Sequence, residues 1–113
     1  CAFGIRNISE IEKTLVESYR ILKPGGKLLI LEFSPEVISP FKKIYNFYLK
    51  NILPNLGKNI AKNKKAYQYL CDSILYFYSP NVFSKMIRNS GFKNIKIIKY
   101  MGGIACLYMA FRI

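Results

Sequence analysis

The chain has no histidine and no tryptophan among its 113 residues, and its six acids face eighteen bases. Without histidine, both the usual general base and the commonest metal ligand are missing, which excludes Ser/His/Asp and Cys/His catalysis within these residues. Cysteine is sparse as well. Cys1, Cys71 and Cys106 are odd in number, far apart and without a Cys-x-x-Cys pair, so neither a disulfide framework nor a zinc site is expected and a reducing compartment is the simpler setting. Long apolar runs are also missing: residues 28–31 and 104–111 fall well short of the roughly 18–20 residues that span a bilayer. Nothing at the start has the order of a secretory signal.

Acid is scarcest beyond residue 36. Residues 1–36 balance five bases with five acids, whereas residues 37–113 carry thirteen bases and Asp72 alone. Such a surface suits a polyanion, either nucleic acid or an anionic membrane face, or else it is a set of solvated lysines with no partner.

What is present is globular: 51% of residues are hydrophobic and 15% aromatic, enough for one core. Ile8, Ile11, Leu15, Tyr19 and Leu22 recur at spacings of three or four and predict a helix. Ser9 with Glu12 reads as its capping box, and Pro24-Gly25-Gly26 stops it. Residues 27–33 are short, nearly all apolar and bounded by turn residues, as in a parallel strand covered on both faces. Residues 35–78 then read as a helical insertion between core elements, with two stretches separated by Pro54, Asn55 and Gly57. Phe41, Ile44, Tyr45, Tyr48 and Ile52 line one face of the first stretch; Tyr67, Leu70, Cys71, Ile74 and Leu75 line one face of the second, behind Lys62, Lys64 and Lys65. Connections of this length often cover an active site. Ser79-Pro80 opens a third helix that Gly91-Phe92 ends. Residues 95–101 and 104–111 flank Gly102-Gly103 as an antiparallel hairpin. Helix followed by buried strand makes the fold class α/β.

The helix ending Arg20-Ile21-Leu22-Lys23-Pro24-Gly25-Gly26 before a buried strand resembles the region around strand five of class I S-adenosylmethionine-dependent methyltransferases. Phe3-Gly4-Ile5-Arg6-Asn7, Leu31-Glu32-Phe33-Ser34, Tyr67-Gln68-Tyr69-Leu70 with Ser73-Ile74, and Gly91-Phe92 narrow it. In that order they resemble the ubiquinone/menaquinone-biosynthesis C-methyltransferases, and the opening words look closer to the mitochondrial members. The resemblance covers residues 2–113 and implies the C-terminal half of a Rossmann-like sheet: strand five at 27–33, strand six at 95–101, and strand seven at 104–111, antiparallel between them. It implies that residues 1–113 are part of one methyltransferase domain whose first half, with the main cofactor loops, lies upstream. The chain alone is then expected to be inactive and to aggregate, swap or dimerise, because strand five would be left as an open edge.

The resemblance further implies S-adenosylmethionine as cofactor, held here by the turn at Ala2 and Phe3, and a polyprenylated benzoquinol or naphthoquinol as substrate, methylated on a ring carbon. Arg6 and Asn7 are then the catalytic candidates: Arg6 stabilises a phenolate or orients a water that takes the proton, and Asn7 holds a ring oxygen. The alternative for Arg6 is a structural pairing with Glu32. Glu32 is itself a substrate-side base or the partner of Arg6. Tyr67 and Tyr69 line a quinol pocket or simply pack. Phe41, Tyr45 and Tyr48 form an entry for the prenyl tail, with flanking lysines on anionic lipid. No metal is implied. The implied setting is the matrix face of the mitochondrial inner membrane or the bacterial cytoplasm, as a homodimer or within a quinone-biosynthesis complex.

The chain departs from the family at Leu75, where arginine is usual, at Tyr108, where histidine is usual, and at Ala110, where glycine is usual. Two other readings compete. One is another small-molecule methyltransferase. The other is a basic nucleic-acid-binding module, which the placement of aromatics on helical faces and the lack of any nucleic-acid-binding signature oppose, so no nucleic-acid partner is expected.

Overall fold

The computed structural model describes residues 1–35, 41–52 and 64–113; the expected break at Pro54, Asn55 and Gly57, and Lys62 beyond it, lie outside the described residues. In chain order the elements are a 3-10 turn at Ile5–Asn7, α1 (Ile11–Ile21), β1 (Lys27–Phe33), α2 (Phe41–Phe47) continued by a π turn at Tyr48–Ile52, α3 (Lys64–Leu75), α4 (Pro80–Asn89), β2 (Lys93–Tyr100), a 3-10 turn at Met101–Gly103, and β3 (Ala105–Phe111). Among the described residues no helix is long and apolar enough to cross a membrane.

The strands form one sheet in the order β1-β3-β2, with both pairs antiparallel. β1 and β2 are therefore parallel to each other, with the last strand between them. Tyr108 lies opposite both Ile30 and Ile97, and its ring meets Phe83 edge-on at 4.7 Å. At the position where the resemblance leads one to expect histidine, this chain thus has a core aromatic, 1% exposed. Leu15 of α1 and Phe83 and Ile87 of α4 bury the face bearing Ile30, Cys106, Tyr108 and Ala110.

The opposite face differs from the two-sided cover expected of β1. Burial alternates along β1 and β3, and Leu29 and Ile98 are 44% and 41% exposed. The reason is that α1 and α4 both pack on the same side of the sheet, so alternate residues of these near-continuous apolar strands are left outward. On the outer edge of β1, Leu31 N donates to Cys1 O at 2.9 Å and Phe3 N to Leu31 O at 2.8 Å. Residues 1–3 therefore run parallel to β1 through a bridge between Ala2 and Leu31, as expected of a chain leaving a strand.

The capping box at α1 does not form. The N-cap is Glu10, without a side-chain cap bond, and its carboxylate accepts from Lys13 Nζ at 3.0 Å. With the helix starting one residue later, Ser9 and Glu12 are out of the cap-to-third-residue register that the box requires. At the other end Arg112 Nη1 donates to Tyr19 O at 2.8 Å and to Leu22 O, satisfying carbonyls the helix leaves open. The α4 start matches its reading: Ser79 Oγ accepts from Val82 N, with Pro80 as the first helical residue. The hairpin turn is wider than the two glycines alone, because Met101, Gly102 and Gly103 all take positive φ.

Gly91 has φ of +112°, and a Cβ there would lie 3.0 Å from the Tyr19 ring. Gly91→Ala is expected to lower stability by about 1–3 kcal/mol, read by thermal unfolding; an unchanged midpoint would contradict this reading.

Candidate active site

The site builds at the carboxyl end of β1, where open α/β sheets bind their ligands. Glu32 points inward there and is 0% exposed, a position a carboxylate tolerates only when paired. Its partner is Arg6, carried to it by the 3-10 turn: Arg6 Nη1 donates to Glu32 Oε1 at 2.7 Å and Arg6 N to Oε2 at 3.2 Å. Phe33 N donates to Oε1 as well, at 2.9 Å.

Arg6 is held from three further sides. Its Nη1 donates to Phe3 O at 2.7 Å, its Nε to Ser73 Oγ of α3 at 3.1 Å, and its guanidinium lies 5.6 Å from the centre of the Phe33 ring. The side chain is 8% exposed. Among the described residues Nη2 has no partner, which leaves two donors on a fixed cation. Beside it Tyr69 donates to Asn7 Oδ1 at 2.7 Å, so the Asn7 amide hydrogens are free to turn toward a ligand oxygen. Asn7 is exposed and Tyr69 half-exposed.

The structure therefore gathers Ala2, Phe3, Arg6, Asn7, Glu32 and Tyr69 at one place. Ala2 and Phe3 are exposed at the turn, and the Phe3 ring lies 4.6 Å from Phe33. Tyr67 shares α3, but its side chain, like that of Phe41, lies outside the described residues. Ser73 is a contributor that sequence reading passed over as part of a motif. Its only sequence signal is that it follows Tyr69 by four residues and so shares that helix face. Among the described residues no group of acids and cysteines could hold a metal ion.

Behind Arg6 lies a second small core of Tyr45, Cys71 and Ile74. Of the tail entry expected from Phe41, Tyr45 and Tyr48, Tyr45 is thus buried and Tyr48 40% exposed, while Ile44 of the same predicted apolar face is 70% exposed. Burial pushes the Tyr45 phenol up from 10.0 to about 12, the Cys71 thiol adding to the rise and the Arg6 guanidinium opposing it. Burial, then Asp72, raises the Cys71 thiol too. Because the unfolded chain loses the Tyr45 proton first, stability is expected to fall as pH rises from 10 to about 12. Comparing alkaline denaturation of wild type with Tyr45→Phe isolates this loss; identical profiles would refute it.

The sheet has a counterpart among solved structures, which shows the fold. A solved S-adenosylmethionine-dependent methyltransferase of Thermotoga maritima, described as a possible histamine N-methyltransferase, matches 99% of this chain and 54% of its own with a TM-score of 0.63 at 20% identity. The fold is the C-terminal part of a Rossmann-like methyltransferase sheet. The chain belongs to the ubiE/COQ5 methyltransferase family, whose sequence profile matches residues 1–112. It is 46% identical over 112 residues to the ubiquinone/menaquinone biosynthesis C-methyltransferase UbiE of Rickettsia prowazekii and 40% identical over 111 residues to that of Psychromonas ingrahamii. The matches cover 99% and 98% of this chain but 45% and 44% of those relatives, so the chain spans less than half their length.

Proposed function

We propose that the chain forms the acceptor-side part of an enzyme that methylates a ring carbon of a polyprenylated benzoquinol or naphthoquinol, with S-adenosylmethionine as methyl donor. The observation that carries this reading is the family match along residues 1–112, on which Arg6, Asn7 and Tyr69 fall together at one site.

The reaction needs an aromatic ring made electron-rich by loss of a phenolic proton, and a methyl donor aligned with the ring carbon. The Nη2 donors of Arg6, without a partner among the described residues, and the Asn7 amide are suited to a ring oxygen that becomes negative as its proton passes to water. Glu32 acts through Arg6: already accepting three hydrogen bonds, it holds the guanidinium in place instead of taking the proton itself. Of the residues here, Ala2 and Phe3 would hold the cofactor, which when bound supplies an electrophilic methyl group. The tilted Phe3–Phe33 pair beside a charge-balanced arginine fits a flat or cationic group without repelling it.

α2 and α3, within the segment 35–78, cover the acceptor. Exposed Ile44 and Phe47 beside Lys42, Lys43 and Lys50 support peripheral contact with an anionic membrane face, where a prenylated quinol resides. A mitochondrial matrix or bacterial cytoplasmic face meets this need equally. The test is methyl transfer by the full-length protein from labelled donor to a demethyl quinol, with Asn7→Ala expected to lower kcat/KM at least tenfold at unchanged stability. Absence of transfer to any quinol, with transfer to another small molecule, would replace this reading.

A further inference from the structure

Arg6 and Asn7 are both tied to α3, by side chains on successive turns of that helix. Tyr69 Oη donates to Asn7 Oδ1 at 2.7 Å, and Ser73 Oγ accepts from Arg6 Nε at 3.1 Å. Residues four apart on a helix share one face, so two consecutive residues of the 3-10 turn meet two matched points on α3. The proton of Ser73 is already given to Leu70 O at 2.9 Å, which leaves Ser73 an acceptor toward Arg6.

The Tyr69 bond fixes more than a position. A side-chain amide carries a carbonyl oxygen that accepts and an NH2 that donates, and turning it over exchanges the two. With Oδ1 engaged by Tyr69, the Asn7 NH2 is on the other side, where among the described residues it has no partner. Turned over, the same amide would offer Oδ1 to a ring oxygen and would suit a neutral phenol, which donates. As it stands it suits a phenolate, which only accepts.

Resting on the quinol reading above, we propose that Tyr69 is a positioning residue that sets the polarity of Asn7. By holding Oδ1 it points the amide hydrogens at the ring oxygen of the methyl acceptor, so the site binds that oxygen more tightly as it loses its proton. The reaction then draws on two donors aimed where negative charge develops, the Asn7 amide and Arg6 Nη2. Tyr69 does this through Asn7, without touching the acceptor. Tyr69→Phe keeps the ring but frees the amide to turn over, and a carbonyl facing a phenolate opposes the charge it has to stabilise. The other charged groups near the pair do not involve Tyr69: Arg6 Nη1 lies 2.7 Å from Glu32 Oε1, and Asp72 of α3 accepts from Gln68 at 3.1 Å.

The experiment uses the full-length protein with a demethyl quinol and compares Tyr69→Phe with wild type, each with and without Asn7→Ala, from neutral to mildly alkaline pH. The expected result for Tyr69→Phe alone is a fall of about tenfold in kcat at neutral pH, with the rise of kcat with pH displaced upward by about one unit. Because Tyr69 is 57% exposed, the melting temperature is expected to stay unchanged, as is the KM for S-adenosylmethionine. In the Asn7→Ala background the same substitution is expected to change kcat less than about twofold, because the group it acts through is gone. Asn7→Asp, which when ionised keeps an oxygen for Tyr69 but has no hydrogens to offer, is expected to lose at least as much as Asn7→Ala. A fall that is equal at every pH and in both backgrounds makes Tyr69 a substrate contact or a structural residue and overturns the proposal. Unaltered kinetics in Tyr69→Phe, or full activity in Asn7→Asp, also overturns it. If wild type methylates no demethyl quinol, the quinol reading fails and this proposal falls with it, a result told apart from the others by the wild-type assay alone.

Discussion

Arg6→Met is expected to lower the stability of the fold by about 3–5 kcal/mol, more than any other single substitution at the site. The size follows from what is left behind. Glu32 is 0% exposed and accepts from Arg6 Nη1, Arg6 N and Phe33 N; removing the guanidinium strands a carboxylate away from water with backbone donors only. Arg6→Met combined with Glu32→Leu removes both charges and is expected to recover most of the loss, because an apolar pair of similar volume tolerates burial. Denaturant titration of the two single variants and the double variant measures the coupling as a thermodynamic cycle. A loss below about 1 kcal/mol in Arg6→Met would show that the pair is not held as described. The same series separates structure from chemistry: a double variant that folds like wild type but transfers no methyl group assigns the activity loss to the missing Nη2 donors.

The 113-residue polypeptide by itself is expected to associate in solution, running as a dimer or larger species at micromolar concentration. The cause is the outward face of the sheet, on which Leu29 and Ile98 are exposed and Leu31, Leu107, Met109 and Phe111 half-buried. A contiguous apolar surface of this kind is unusual on a monomer. The outer edge of β1 adds backbone groups that, beyond the stretch Cys1 and Phe3 cover, find no strand partner among the described residues. Light scattering after size exclusion reads the mass, and Leu29→Lys with Ile98→Lys is expected to shift it toward the monomer. A monodisperse monomer of the unsubstituted chain would show that this face is shielded by residues other than those described.

Much of this was legible in the residue order, for identifiable reasons. β1 announced itself because a short apolar run between turn residues has few alternatives, and α4 because Ser79-Pro80 joins a side-chain acceptor to a preset φ. The hairpin followed from glycines that accept positive φ. Local spacing was less informative at α1, where shifting the first turn by one residue disarmed a well-formed capping motif, and on α2, where one helical face proved to be divided between buried Tyr45 and exposed Ile44. The site was half legible. Arg6 and Asn7 stood out through the family words around them, but Arg6 meets Glu32 across 26 residues and Ser73 across 67. No periodicity reports on contacts at that separation.

The position of β3 has a consequence for how the chain reaches this structure. The last of the three described strands in sequence is the middle one in space, so both ladders between them pass through residues 105–111. During synthesis β1 and β2 emerge before the strand that pairs with both, and the edges they turn toward it stay unpaired until residues 105–111 leave the ribosome. Assembly is then one late, long-range event instead of a progressive addition of strands, which makes it slow. Loss of residues 105–111 would remove not a fringe of the sheet but its axis, leaving two apolar strands without a common partner and open to degradation or aggregation.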